Sequence, residues 1–215
     1  MFKGLHVFDL DHTLLTTNSS YCFGWYLYRQ GFFPFSSLIY CIAAYALHKG
    51  LGLSLQKLHQ HTFAALFKGR SLQDLQTHVE CFLAQQGDKW LYTPACERLA
   101  AAKASGAYTV ISSSSPDFLV AALAKKFAVD AYFATTYLPN HAGKLERIGM
   151  VKSGKEKADD IIALAQQLQL PLASLTSYSD SHLDIPLLEI SGAAVAVNPD
   201  WILRKTSVQL GWEII

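Results

Sequence analysis

The stretch LHVFDLDHTLLT, residues 5–16, places two carboxylates one residue apart at the end of a short apolar run. Asp9 follows that run directly, Asp11 comes two positions later, and Thr13 two positions after that. Side chains two residues apart in an extended segment project to the same side, so the two carboxylates can share one target. Taken alone, the stretch is compatible with an acidic turn after a strand or with part of a functional site. The rest of the chain decides between these interpretations.

Short β-rich runs alternate with helical segments in the second half of the chain. Runs of this kind occupy residues 107–111, 131–135, 175–178 and 193–197. Such alternation is typical of a parallel sheet with helices on both faces. The run at residues 5–8 resembles these strands and not the helices that follow it. We therefore predict an α/β fold in which residues 1–15 and 93–215 form one doubly wound domain.

Residues 16–92 have the pattern of a helical insertion after the first strand. Four segments show helical periodicity, and three of them stop at a glycine: Gly50, Gly69 and Gly87. The most membrane-like segment, residues 38–47, has ten residues, against the roughly 20 that a bilayer-spanning helix needs. We predict a buried helix there, with no transmembrane segment and no signal peptide. Residues 139–154 fit either a loop or a hairpin.

Composition excludes some classes of partner. Eighteen Lys and Arg residues balance 17 Asp and Glu residues, and the formal net charge is +1. No cluster of lysine and arginine builds a basic face, so we expect no nucleic-acid partner. The four cysteines form no C-x-x-C pair and fall on apolar segments, which fits a reducing, cytoplasmic location.

Polar residues follow three of the predicted strands directly. They are Asp9, Asp11 and Thr13 after the first strand, Ser112 to Ser115 after the second, and Asp180 with Asp184 after residues 175–178. Ligands of open parallel sheets bind outside the carboxyl ends of the strands, so these groups are expected at one edge. Four crowded carboxylates need a counter-charge, and Mg²⁺ and a lysine, Lys155 or Lys157, can supply it. Together these groups indicate a phosphoryl-transfer site.

The motifs DLDHT, SSSSP, a lysine that opens a helix, and YSDSHLD occur in the order found in the haloacid dehalogenase superfamily of phosphohydrolases. The helical insertion after the first motif resembles the type 1 cap of the phosphoserine-phosphatase-like branch. The tail AVAVNPDWILRKTSVQLGWEII is also similar to that branch. The resemblance covers the core, about two thirds of the chain. It implies a Rossmann-like core with an inserted helical cap, and a Mg²⁺-dependent phosphatase.

The resemblance also implies roles for the residues of the first motif. Asp9 would take the phosphoryl group as the nucleophile and would bind Mg²⁺. Asp11 would protonate the leaving oxygen, then activate water, and its backbone carbonyl would ligate the metal. Thr13 would support the geometry of the loop. His12 departs from the small residue that the superfamily often has between the two aspartates.

The other motifs supply the phosphate-binding groups and the remaining metal ligands. Ser113 would bind phosphoryl oxygens, because it matches the S-x-S-P pattern of the branch, with Ser112 as the other choice. Lys157 is preferred to Lys155, because GKEK matches the G-x-x-K that opens the helix. The metal site would be completed by Asp180, and by Asp184, which would orient Asp180 or the lysine.

Substrate choice is expected to lie in the cap, because the core chemistry recognises only the phosphoryl group. Phosphoserine phosphatases typically have a glutamate nine residues after the nucleophile, where this chain has Asn18. They also have a cap arginine near the position of Phe63. Both charged partners of a zwitterionic substrate are therefore missing. We expect a small organic alcohol phosphate as the substrate, with a lipid-like or aromatic alcohol and contact with a membrane surface as further options.

Three alternatives stay open at this point. The chain could be a phosphoserine phosphatase after all, a phosphotransferase on the same scaffold, or a non-catalytic, receiver-like phospho-acceptor. A receiver lacks a second aspartate two residues after the phosphorylated one and has no inserted cap. Asp11 and the insertion at residues 16–92 therefore favour the enzyme.

Overall fold

The central sheet of the protein has six parallel strands, seen in a computed structural model that describes residues 2–86 and 88–215. The strands are β1 (Leu5–Phe8), β2 (Tyr108–Pro116), β3 (Ala131–Thr135), β6 (Leu175–Ser179), β7 (Ala193–Ala196) and β8 (Glu213–Ile214). Their order in space is β3-β2-β1-β6-β7-β8. The edge strand β8 has only two residues and was not predicted from the sequence. Because β1 lies at the centre, between β2 and β6, the first and last polar motifs leave adjacent strands.

Helices cover both faces of this sheet, which confirms the predicted doubly wound α/β fold. They are α5 (Thr93–Ala104), α6 (Asp117–Phe127), α7 (Gly154–Gln167), α8 (Ile185–Glu189) and α9 (Trp201–Leu210). Alternate residues of β1 supply the two faces. Leu5 and Val7 pack with Ile161 of α7 and Leu187 of α8, whereas Phe8 belongs to the larger cluster with α5, α6 and the inserted helices.

Apart from a π-helical turn at Phe63–Phe67, the described residues of the inserted segment form four α-helices. They are α1 (Ser19–Arg29), α2 (Phe35–Leu51), α3 (Leu55–Thr62) and α4 (Leu72–Gln86). The predicted stop of the second helix at Gly50 is wrong: α2 continues to Leu51, and Gly52 ends it with φ at 71°. The predicted stop at Gly87 lies outside the described residues.

Two chain crossings join the inserted helices, hereafter the cap, to the sheet domain. They run side by side, because Leu15 and Leu91 form an antiparallel bridge. The Thr16 amide donates to the Trp90 carbonyl at 2.7 Å, and the Tyr92 amide donates to the Leu14 carbonyl at 2.9 Å. The predicted ends of the helical insertion, residues 16 and 92, lie next to these hydrogen bonds.

A β-hairpin of the core also touches the cap. It pairs β4 (Tyr137–Pro139) with β5 (Leu145–Ile148), which settles the loop-or-hairpin alternative for this region. The Gly69 amide donates to the Leu145 carbonyl at 2.7 Å, and the Leu145 amide donates to the Arg70 carbonyl at 2.8 Å. Throughout the described residues, no helix combines the length and apolar character needed to cross a membrane.

Candidate active site

The loop after β1 carries both carboxylates of the first motif on extended backbone. Asp9 has φ/ψ of −66°/161° and Asp11 has −74°/131°, and the Leu15 amide closes the loop by donating to the Leu10 carbonyl at 3.0 Å. His12, which directly follows Asp11, has a left-handed backbone conformation with φ at 60°. Histidine is among the non-glycine residues enriched in that region. The exposed His12 thus turns the chain directly after Asp11.

A buried lysine joins the first and last motifs. Lys157 Nζ lies 2.7 Å from Asp9 Oδ1 and 2.7 Å from Asp184 Oδ2. Asp184 Oδ2 also accepts a 2.7 Å hydrogen bond from the hydroxyl of Ser179. Lys155, the other candidate, is exposed. The structure therefore brings Lys157, and not Lys155, to the two carboxylates.

The start of α7 sets the position of Lys157. A Cβ atom on Gly154, the first residue of the helix, would lie 1.7 Å from the carbonyl oxygen of Leu183. Only glycine permits α7 to begin this close to the segment that precedes Asp184. Ser153 and Glu156 form a capping box that fixes the same helix terminus. The close approach brings Lys157, the fourth residue of the helix, beside Asp184.

Charges in this cluster are unbalanced. Burial raises the pKa of Asp9 well above its ordinary value, Lys157 opposes that shift, and Asp184 and Asp180 add to it. Burial and then Asp184 raise the pKa of Asp180 to about 7. For Lys157, burial disfavours the charge, but Asp184 and Asp9 outweigh it and raise its pKa. One ammonium group thus lies among several carboxylates, and their excess negative charge favours the binding of a further cation.

Asp11 is held by a different set of groups. Its Oδ1 accepts a 2.6 Å hydrogen bond from the Ser19 amide, at the start of α1. Its Oδ2 accepts a 2.6 Å hydrogen bond from the Ser115 hydroxyl. Ser20 Oγ lies 2.7 Å from the same hydroxyl. The sequence prediction missed Ser115, although the second serine of S-x-S-P marks its position.

The remaining predicted core residues lie around this cluster. Ser113 is buried, and its Oγ accepts the Ser115 amide at 3.1 Å, which leaves its hydroxyl hydrogen able to donate. Ser112 Oγ is a buried oxygen that has no hydrogen-bond partner among the described residues. Thr13 is fully buried, and its hydroxyl lies 3.4 Å from Asp180 Oδ1. Thr13 thus connects the loop after β1 to the loop after β6.

The two substrate-binding candidates in the cap have structural contacts. Asn18 is the N-cap of α1, and its Oδ1 accepts the Tyr21 amide at 2.8 Å. Phe63 is buried against the Tyr137 ring, with the centroids 5.2 Å apart and the planes perpendicular. Tyr137 also places its hydroxyl 3.2 Å from Nδ1 of His59. The contacts of Phe63 and His59 with Tyr137 link the cap to the core hairpin. The binding roles of Asn18 and Phe63 stay predictions.

The donor set is suited to a hard divalent cation. Within the described residues, no group of three or more His, Cys, Asp and Glu side chains is arranged to hold a metal ion by itself. Mg²⁺ commonly takes one or two carboxylates and completes its shell with water and substrate phosphate. Asp9 and Asp180, both carboxylates whose pKa burial raises, fit that requirement.

Known proteins resemble this chain in sequence and in fold. The profile of the haloacid dehalogenase-like hydrolases matches residues 6–189. Phosphoserine phosphatase SerB1 of Mycobacterium tuberculosis is 27% identical over 213 residues, which cover 96% of this chain and 68% of that protein. A solved protein of unknown function from Bordetella pertussis superposes with a TM-score of 0.90 at 25% identity, over 100% of this chain and 99% of that one.

A solved phospho-aspartyl intermediate analogue of phosphoserine phosphatase shares the fold. It superposes with a TM-score of 0.72 at 16% identity, over 100% of this chain and 93% of that chain. The family match includes the loop after β1, the strand β2, the helix α7 and the loop before α8, which carry the four motifs. The family inferred from those motifs is thus confirmed: the chain belongs to the haloacid dehalogenase-like hydrolases.

Proposed function

We propose that this hydrolase is a Mg²⁺-dependent phosphatase that cleaves a phosphate monoester through an aspartyl-phosphate on Asp9. The observation that carries the proposal is the contact of Lys157 Nζ with Asp9 Oδ1 and Asp184 Oδ2, both at 2.7 Å. A buried ammonium beside a carboxylate offers charge stabilisation to the transferring phosphoryl group. It also orients the carboxylate that would attack.

The first half of the reaction transfers the phosphoryl group to the enzyme. A carboxylate oxygen of Asp9 attacks phosphorus, and the bond between phosphorus and the alcohol oxygen breaks. Asp11 donates a proton to the departing alcohol oxygen. The hydroxyl of Ser113 and the ammonium of Lys157 hold the phosphoryl oxygens.

The second half returns the enzyme to its starting state. Asp11, now ionised, takes a proton from water, and the water oxygen attacks phosphorus of the aspartyl-phosphate. The bond between phosphorus and the Asp9 oxygen breaks, and inorganic phosphate leaves. Hydrogen bonds from the Ser19 amide and Ser115 support Asp11 in this role, because they orient its carboxyl group.

The metal would be held by Asp9, Asp180 and the Asp11 carbonyl, with Asp184 orienting Asp180 or Lys157. When bound, Mg²⁺ supplies positive charge that offsets the negative charge of the phosphate ester. Mutual repulsion of Asp9, Asp180 and Asp184 supports this assignment.

The proposed substrate is the phosphate ester of a small, weakly polar alcohol, and phosphoserine is a poor substrate. Two contacts support this choice. Asn18 uses its side-chain oxygen to cap α1, and Phe63 packs against Tyr137, so neither position offers a charge to an amino acid. The relative named phosphoserine phosphatase makes phosphoserine the necessary comparison.

A panel of phosphate monoesters, assayed for phosphate release with and without Mg²⁺, tests the proposal. We expect Mg²⁺-dependent turnover that Asp9→Asn abolishes and that is more efficient on aryl and alkyl phosphates than on phosphoserine. Turnover that survives in Asp9→Asn would exclude Asp9 as the nucleophile. Phosphoserine as the best substrate would exclude the substrate assignment alone. Including acceptor alcohols in the assay detects phosphotransfer as a separate product.

A further inference from the structure

Helix α2 of the cap leaves a broad apolar face exposed. Its inner side contacts the cap through Leu38 and Ala44, which are buried. Its outer side exposes large apolar residues by 45–80%, namely Phe35, Ile39, Tyr40, Ile42, Leu47 and Leu51. Helical spacing places 35, 39 and 42 in one row and 40, 47 and 51 in a second row, and the small exposed residues Ser36, Ala43 and Gly50 lie between the two. Contiguous apolar surface of this kind marks an interaction site.

The apolar face continues at both ends of α2. At the N-terminal end, the Phe35 ring is 5.4 Å from the Tyr28 ring, which is 5.6 Å from Trp25 of α1. The Arg29 guanidinium lies 5.9 Å above the Trp25 ring. At the C-terminal end, a depression is lined by Leu47, Leu51, Gly52, Leu53, Ser54 and Lys57. Aromatic rings and basic groups thus border the aliphatic centre.

Charge in this part of the sequence has one sign. Residues 12–73 contain five of the chain's Lys and Arg residues and none of its 17 Asp and Glu residues. The whole chain has a net charge of only +1, so the remainder is acidic overall. Two copies docked through this face would bring like charges together without carboxylates to pair them. An anionic surface offers the complementary charge.

We propose that the α2 face, formed by Trp25, Phe35, Ile39, Ile42, Leu47 and Leu51, docks on a lipid membrane that contains anionic phospholipids. The helix lies in the membrane interface, where aromatic rings and basic side chains flank inserted aliphatic groups. It does not cross the bilayer, because its 17 residues extend about 25 Å, less than the hydrocarbon core. This docking goes beyond the proposed phosphatase chemistry and does not depend on it.

Cosedimentation with vesicles tests the docking without any measurement of turnover. We expect the purified protein to bind vesicles of equimolar phosphatidylcholine and phosphatidylglycerol, more weakly as salt increases, and phosphatidylcholine vesicles far less. Ile39→Glu with Ile42→Glu is expected to weaken binding more than about tenfold. The matched control is Val208→Glu with Leu210→Glu, two exposed positions on α9 of the core, which should bind like the wild type.

A second variant distinguishes the loss of docking from misfolding of the double glutamate variant. Lys57→Glu reverses a charge at the edge of the face, and we expect it to lower the affinity for anionic vesicles and to flatten the dependence on salt. The proposal is overturned if the wild type does not bind anionic vesicles at low salt, or if both glutamate pairs weaken binding equally. Lipid-free dimerisation that Ile39→Glu with Ile42→Glu abolishes, without vesicle binding by the wild type, would assign the face to a second copy instead.

Discussion

The Ser115 hydroxyl donates a hydrogen bond of 2.6 Å to Asp11 Oδ2, and Ser20 of the cap lies 2.7 Å from that same hydroxyl. One serine thus connects the proposed acid–base residue to the end of β2 and to the first helix of the cap. Ser115→Ala removes an oriented bond to a carboxylate that the Ser19 amide alone would still hold. We expect kcat to fall by about tenfold or more, with a smaller change in KM.

The adjacent Ser114→Ala is the matched control for Ser115→Ala. It removes a hydroxyl from the same strand and leaves the backbone carbonyl of Ser114, which accepts a 2.7 Å bond from Thr135. Its kcat should remain close to that of the wild type. Equal kcat values for both variants would show that Ser115 does not position Asp11.

The positions of most strands of the sheet could be predicted from the sequence, because each of them is a short β-rich run followed by a helix. Strand β3 has the predicted bounds, Ala131–Thr135. Gly52 was missed because Gly50 and Gly52 are equivalent as local stop signals, and only the packing of α2 selects between them. The edge strand β8 was missed because two residues carry no periodicity.

Among the site residues, too, some could be predicted from the sequence and others could not. The family resemblance favoured Lys157, because GKEK matches G-x-x-K and KADDI matches K-x-x-x-(Leu/Ile). In the structure Lys157 and Ile161 are both buried residues of α7. The S-x-S-P pattern marks Ser115 among the four serines, but it does not show that Asp11 is its partner, since Asp11 belongs to another strand exit. Such a contact depends on the tertiary arrangement of β1, β2 and α1, which no local pattern encodes.

Lys157→Met is predicted to destabilise the metal-free protein. The substitution leaves Asp9 and Asp184 buried without their shared counter-charge. We expect the free energy of unfolding, measured in urea without Mg²⁺, to fall by about 3–5 kcal/mol. Lys155→Met, at an exposed position on the same helix turn, should change it by less than about 0.5 kcal/mol. Similar losses for the two variants would contradict the role of Lys157 as the buried counter-charge.

Gly154→Ala is predicted to impair both stability and turnover. The added methyl group would overlap the Leu183 carbonyl oxygen, so the start of α7 must move away from the segment before Asp184. The free energy of unfolding should fall by about 1–3 kcal/mol, and kcat should fall because Lys157 moves with the helix. Gly50→Ala provides the comparison, because a methyl group there meets nothing within 4 Å. It should stabilise α2 by about 0.5–1 kcal/mol and leave kcat unchanged.

His59 is predicted to make the protein less stable in mild acid. Burial, with a smaller contribution from His48, lowers the pKa of His59 to about 4. Unfolded chains bind a proton at His59 below about pH 6.5, whereas the folded protein does so only near pH 4. Stability therefore falls as the pH falls through this window, by up to about 3 kcal/mol from this residue.

Urea unfolding of His59→Gln across the same pH range isolates this contribution. Glutamine can still bond to the Tyr137 hydroxyl but does not titrate, so the loss of stability should be smaller in the variant than in the wild type. His141→Gln, at an exposed position in the hairpin turn, should retain the full pH dependence. Parallel pH profiles for His59→Gln and the wild type would show that His59 is not protected from protonation in the fold.

Removal of Mg²⁺ and removal of Asp180 are predicted to act in opposite directions. Saturating Mg²⁺, at about 100 times its Kd, should stabilise the wild type by about 2.7 kcal/mol, and chelation should reverse the effect. Because burial and Asp184 raise the pKa of Asp180 to about 7, its charge opposes folding when no metal is bound. Asp180→Asn should therefore raise Tm without Mg²⁺ and lose most of the Mg²⁺-dependent shift.

Asp159→Asn, at an exposed position on α7, should match the wild type in both states. A Mg²⁺ shift in Asp180→Asn as large as that of the wild type would remove Asp180 from the proposed ligand set.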